Sequence, residues 1–226
     1  MPGRQESLDT GESYHVFNKT IDSKPVFINT QNATVFKETM GYYRSLKAFL
    51  SLSRYRGIED KNFRKLYARR ISYKKHFIVD ILAYCIMPTH FHLLLKQKKD
   101  KGISKYMSDV INSFTRFHNL KSKRKGPLFL PQFRAKHIRT DDSLLNVSRY
   151  IHLNPLTGGV VNNINQLEKY QHSSYPEYDT DAKESLSDSN PIMKLFDYKT
   201  KAYRDYVINQ LDYQSSLETM KHARGW

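Results

Sequence analysis

Two histidines one residue apart, His90 and His92, open the apolar run His90-Phe91-His92-Leu93-Leu94-Leu95. In an extended chain, side chains two apart point to the same face. Both imidazoles therefore project together, while Phe91, Leu93 and Leu95 turn into a core on the other side. Two imidazoles on one face are half of a divalent metal site and lack an oxygen ligand. Tyr150 and Asn154 can supply what is missing. They stand four apart in a segment with helical spacing, hence one turn along a single face, about 6 Å up the axis. A phenol and a carboxamide facing a histidine pair are the parts of a metal-assisted phosphoryl transfer site. The histidines and the Asn154 oxygen hold an ion that polarises a phosphate oxygen, and the phenolate attacks phosphorus. A plainer alternative has Tyr150 packed in the core and Asn154 capping a helix before Pro155; spacing alone leaves both open. His15, on the first strand, could approach the metal or substrate, but reads better as an exposed or hydrogen-bonded strand histidine. His152, two residues from Tyr150, points away from it. Cys85, among apolar strand residues, reads as an inert core thiol.

These groups need elements to position them. Thr140, followed by Asp141 and Asp142, is a helix start, a capping hydroxyl ahead of two carboxylates at the positive end of the dipole. Leu144, Leu145 and Ile151 give that helix an apolar stripe, and Pro155 is expected to end it at Asn154. His76–Met87 is a continuous β-branched and aromatic run, Pro88-Thr89 breaks it, and His90–Gln97 resumes, which predicts a hairpin of two strands. Tyr14–Asn18 alternates as a short strand, which Val26–Ile28 could extend. Ala33–Leu52 has the spacing of one long amphipathic helix, and Arg54–Lys75 that of a basic helical excursion. Ser104 can cap a second long helix. The first eleven residues are polar and read as a frayed tail. Residues 176–191 hold five acids and one Lys among many serines and read as an exposed linker before a final helix near Met193–Leu211.

Composition bounds the partners. The chain has 226 residues, with 37 Lys plus Arg against 22 Asp plus Glu, a formal net charge of +15 that favours a polyanionic partner. A single cysteine excludes an internal disulfide framework and a multi-cysteine zinc ribbon. The longest apolar stretch, Phe77–Met87, contains Asp80 and is too short to span a bilayer, and no secretion signal is visible. A cytoplasmic protein, nucleoid-associated when bound to DNA, is expected. The basic charge concentrates between Arg116 and Arg139, which carries eight basic residues and no acid: Arg116, Lys121, Lys123, Arg124, Lys125, Arg134, Lys136 and Arg139. Phe117, Phe129 and Phe133 interleave them, a pattern suited to tracking phosphates and stacking on unpaired bases.

Several motifs, in order, carry a family resemblance. Ala83–Leu95, containing Pro88-Thr89-His90-Phe91-His92, resembles the metal-binding strand of single-tyrosine HUH transposases, nearest to the REP-associated tyrosine transposases and their insertion-sequence relatives. Ser148–Pro155 resembles the nucleophile helix, with Tyr150 at the catalytic position and Asn154 at the third-ligand position. Tyr14–Asn18 resembles the opening strand, Phe129–Lys136 the stretch before the nucleophile helix, and His172–Tyr175 the stretch after it. The resemblance spans about 14–175 and implies the domain limits 13–175, with 54–75 as a basic insertion, a tail over 1–12 and an extension over 176–226.

The element order, strand, helix, strand, strand, helix, strand and then the nucleophile helix, matches a ferredoxin-like α+β sandwich, an antiparallel sheet with helices on one face, and the resemblance implies the same. It further implies a single-stranded DNA endonuclease and strand transferase working on hairpins through a 5′-phosphotyrosine, with Mg²⁺ or Mn²⁺ at His90, His92 and Asn154. Thr89 stands where many relatives carry Asn, and Leu156–Gly159 replaces a more basic tetrapeptide. A non-cleaving protein that binds DNA or RNA hairpins is the alternative of a different class, and a hydrolase using metal-bound water is a third. Monomer and homodimer stay open.

Overall fold

The computed structural model describes residues 7–179 and 185–209. Four antiparallel strands, β1 (Ser13–Lys19), β2 (Val79–Ile86), β3 (His90–Gln97) and β4 (Arg134–Ile138), form one sheet in the order β2-β3-β1-β4. The first strand made is thus central, flanked by β3 and β4. Its alternation sends Tyr14 and Val16 to one face and His15 and Phe17 to the other. On the first face lie α1 (Thr30–Tyr43) and α4 (Gly102–Lys121), the two crossover helices of the ferredoxin-like order. Phe36 from α1 and Phe114 from α4 meet Phe91 and Phe129 there, with ring centroids 4.9–6.1 Å apart. The expectation of helices on one face holds for this pair and does not extend to α5 (Asp141–Thr157), which covers the opposite face. There Ile151 and Leu153 pack with Ala83, Cys85 and Leu94. A bulge between Ile81 and Ala83 lets Leu82 and Ala83 both join that second cluster.

Several boundaries differ from the sequence reading, each because a tertiary partner outcompetes local preference. The helix expected over 33–52 stops at Tyr43, because the backbone of 44–46 pairs with the lead-in to β2: Ile78 N donates to Arg44 O and Leu46 N to His76 O, both at 2.8 Å. Two short helices follow, α2 (Leu52–Arg56) and α3 (Lys61–Ser72), the latter capped by the Asp60 carboxylate. Residues 26–28 form a 3-10 turn rather than a strand, entered through the left-handed Asp22 and Ser23 and through Pro25, which has no amide to give a ladder. The second long helix begins at Gly102 instead of being capped by Ser104: the Gln97 side chain accepts from Ile103 N at 2.9 Å. Glycine is required at its first residue, since a Cβ there would lie 2.4 Å from Ile78 O. Finally, α5 runs through Pro155 to Thr157. The proline sits in the last turn, where its carbonyl accepts from Val160 N and Val161 N at 2.8 and 3.0 Å and Gly158 N closes on Asn154 O at 2.8 Å.

The ends also pack more closely than composition suggests. Residues 7–12, placed with the tail, are tied to β3: Gly11 N donates to Gln97 O, and Gln97 N to Glu12 O. The described parts of 176–191 are not an exposed linker. Asp188 N donates to Ile81 O, the Tyr178 hydroxyl to Leu82 O at 2.7 Å, and the Glu177 carboxylate accepts from Tyr84, Ser185 and Ser187. The serines and acids that look solvated in sequence thus satisfy one another against the sheet edge. Three short helices, α6 (Ile164–Leu167), α7 (Asn190–Met193) and α8 (Thr200–Ile208), complete the described chain; Leu211, the expected end of the last helix, lies outside the described residues. Among the described residues no helix is long and apolar enough to cross a membrane.

Candidate active site

The face of the sheet under α5 gathers the residues singled out by type and spacing. Strand β3 presents His90 and His92 with ring centroids 5.0 Å apart, His92 buried and His90 half-buried. Each engages its Nδ1. The His90 Nδ1 lies 3.0 Å from the Thr89 hydroxyl, and the His92 Nδ1 lies 3.0 Å from Nε2 of His15, a buried residue of the neighbouring strand β1. Register explains the second contact. Phe17 stands opposite His92, so His15 shares its face one pleat along, and the Phe17 ring packs 5.6 Å from that of His92.

Helix α5 lowers Tyr150 onto this floor. Its ring meets His92 edge-on at 5.3 Å and His15 at 5.8 Å. Asn154, one turn on and buried, donates from Nδ2 to Tyr150 O at 2.7 Å, so its amide oxygen is the atom that could ligate a cation. The helix is anchored from behind by His152, fully buried, whose Nε2 and Nδ1 lie 2.7 Å from the Ser174 and Tyr203 hydroxyls. Burial pushes the His152 pKa down to about 3, so this ring is a neutral tie between α5, the 173–175 segment and α8. It points away from Tyr150, as its spacing predicts. Burial also raises the Cys85 thiol pKa well above its ordinary value, consistent with an inert core residue.

The donor set suits a divalent cation. The Nδ1 of each histidine has a hydrogen-bond partner, the Thr89 hydroxyl or His15, and where Nδ1 donates in that bond Nε2 presents its lone pair. Among the described residues no three His, Cys, Asp or Glu side chains group closely enough to hold a metal. Two imidazoles and one amide oxygen leave positions for phosphate oxygens and water.

The basic run splits in two. Arg134 and Lys136 lie on β4 opposite Phe17 and His15, exposed and on the same face as the histidines. The others are elsewhere. Arg116 lines a groove between α1, α2 and α4 on the far face. Lys121 is held at the start of α1 by Gln31 and Asn32 at 2.8 and 3.1 Å. The Arg124 guanidinium reaches Asn119 Oδ1 and Pro127 O, bracing its own loop, from which Lys123 and Lys125 are exposed. Arg139 is exposed just past β4, its Nε 3.4 Å from His137 Nδ1. On the histidine face, the exposed Lys19, opposite His90, escaped the sequence reading, and His15, weighed there as able to approach a metal but read as a plain strand histidine, lies against His92. Their spacing with Phe17 puts them on one face, but only strand register reveals whose face it is.

An antiparallel sheet whose histidine pair lies under a helix carrying tyrosine and asparagine defines a class. The family model of IS200-like transposases matches residues 48–154, which contain His90, His92, Tyr150 and Asn154. Residues 48–154 are similar to the IS200-like transposase domain. Among solved structures, a REP-associated tyrosine transposase bound to a REP hairpin shares the fold. It aligns over 84% of this chain and 93% of its own, with a TM-score of 0.53 at 15% identity. A chain from Deinococcus radiodurans R1, described as a transposase, aligns over 67% of this chain and 95% of its own at 16% identity and a TM-score of 0.35. No curated protein matches the sequence.

Proposed function

We propose that the protein is a metal-dependent single-stranded DNA endonuclease and strand transferase that acts on hairpins through Tyr150. The observation that carries this reading is the seating of the Tyr150 ring against His92, 5.3 Å away, and His15, 5.8 Å away. Mg²⁺ or Mn²⁺ held by His90, His92 and Asn154 would supply a positive charge that favours the phenolate and polarises the scissile phosphate. Arg134, Lys136 and Lys19 hold flanking phosphates on the same face, and the His15 and His92 rings cover one side of the tyrosine. The Tyr150 oxygen gives up its proton and bonds to phosphorus, the bond to the 3′ oxygen breaks, and that oxygen leaves as a hydroxyl. The phosphodiester is conserved as a 5′-phosphotyrosine, so a second 3′-hydroxyl can reverse the step and join strands. The solved neighbour, named for its bound REP hairpin, supports folded single-stranded DNA as the substrate class.

The test is Tyr150→Phe, which removes the oxygen and keeps the ring. Hairpin binding and folding are expected to persist, while cleavage and a denaturation-resistant protein–DNA adduct, labelled only when the label lies 3′ of the cut, both disappear. Cleavage by this variant near the wild-type rate would assign the attack to water or to another residue. Wild type that binds hairpins without cutting under any divalent metal would favour a binding protein.

A further inference from the structure

His15 lies outside the 48–154 family match and has no assigned role, yet it makes a direct contact to a proposed ligand. Its Nε2 and the His92 Nδ1 are 3.0 Å apart, a hydrogen bond in which one nitrogen carries the proton and the other the lone pair. His92 can offer a lone pair at Nε2 only as the Nδ1–H tautomer. It must then donate to His15 Nε2, which places the His15 proton on its own Nδ1. The partners around His15 hold it to that task. It is buried, tilted against Phe17 at 5.1 Å, nearly parallel to His92 at 5.1 Å and edge-on to Tyr150 at 5.8 Å. On β3, the Thr89 hydroxyl occupies the corresponding nitrogen of His90. The two histidines are thus oriented by different devices, one local and one borrowed from a strand 77 residues earlier.

Building on the proposed function, we infer that His15 is a positioning residue. It fixes the tautomer and ring direction of His92 for a divalent cation, and with the same ring it seats Tyr150 beside that ligand.

The experiment titrates Mn²⁺ into DNA-free protein and follows the free-ion EPR signal for wild type, His92→Ala, His15→Leu and His15→Gln. Loss of an orienting partner of this kind weakens metal binding by about 10–100-fold, the expectation for His15→Leu. In His15→Gln the amide oxygen falls near the position of Nε2 and can accept the same hydrogen bond, so affinity should return to within a few-fold of wild type. Hairpin cleavage should follow the same ranking and recover in His15→Leu at raised Mn²⁺. Wild-type affinity in His15→Leu, or equal weakening in His15→Gln, would overturn the inference. If His92→Ala also binds Mn²⁺ normally, the histidine–amide site itself fails; if only the His15 variants are silent, the site stands and His15 is merely packed. Should His15→Leu not fold, the wild-type protein decides by long-range ¹H–¹⁵N spectra. A proton on Nδ1 of His92 supports the assignment, and one on Nε2 in the metal-free protein overturns it.

Discussion

At the scale of single residues, the chemistry was readable where it depends on spacing within one element. A pair two apart on a strand and a pair four apart on a helix each declare a shared face, which is why His90 with His92 and Tyr150 with Asn154 stood out. That the two pairs meet, and that His15 joins them, depends on register and on which face α5 covers, neither of which short-range pattern encodes. His152 shows the converse, a histidine placed by burial rather than by chemistry. Its ring stays neutral in the folded protein down to about pH 3, whereas in the unfolded chain it takes up a proton below about 6.5. The unfolded state therefore binds more protons across that window, and stability falls as pH drops through it, by up to about 1.4 kcal/mol per unit. His118 and His172, also held below the ordinary histidine pKa by burial and neighbouring cations, act in the same direction. Urea midpoints at pH 7.5 and 5 should fall in wild type and fall less in His152→Gln. An unchanged pH slope in the variant would mean that the ring is protonated inside the protein.

At the scale of elements, the strands and α5 were legible, and the helix ends were not. Thr140 with its two following acids marked the start of α5 because capping is local, and the side chain does accept from Ser143 N. Its end was misjudged because Pro155 can occupy a last turn whose neighbours supply the bonds. Likewise α1 gives up its C-terminal extension for backbone pairing at the sheet edge, a competition invisible to periodicity. Close approaches set the remaining limits. Gly102 packs its Cα onto the backbone of Ile78, so Gly102→Ala must displace either α4 or the start of β2. We expect a loss of about 1–3 kcal/mol in chemical denaturation. A variant as stable as wild type would show that α4 can shift at no cost.

At the scale of the whole molecule, a net charge of +15 is distributed over both faces of the sheet, and only part of it borders the histidines. Arg134 and Lys136 are the basic pair that shares the face of the histidines, while Arg124 is occupied in bracing its loop. Replacing Arg134 and Lys136 together by Ala should reduce the salt dependence of hairpin binding by about 1.5 in log–log slope. Lys123 and Lys125 replaced together should change it less. Equal effects would extend the DNA path across the loop after α4. The strand order has a further outcome, in the time course of synthesis. Strand β1 is made first, yet it takes its place between β3 and β4, and His15 precedes its partner His92 by 77 residues. At about 5–20 residues per second, a growing chain carries β1 for roughly 4 to 15 s before any strand can pair with it. Arg134 and Lys136 are translated next, and Tyr150 follows them. A ribosome stalled in between leaves a fragment that holds His90, His92 and the two basic residues of β4 but neither Tyr150 nor Asn154, so on the proposed function partial products of translation would lack the group that breaks DNA.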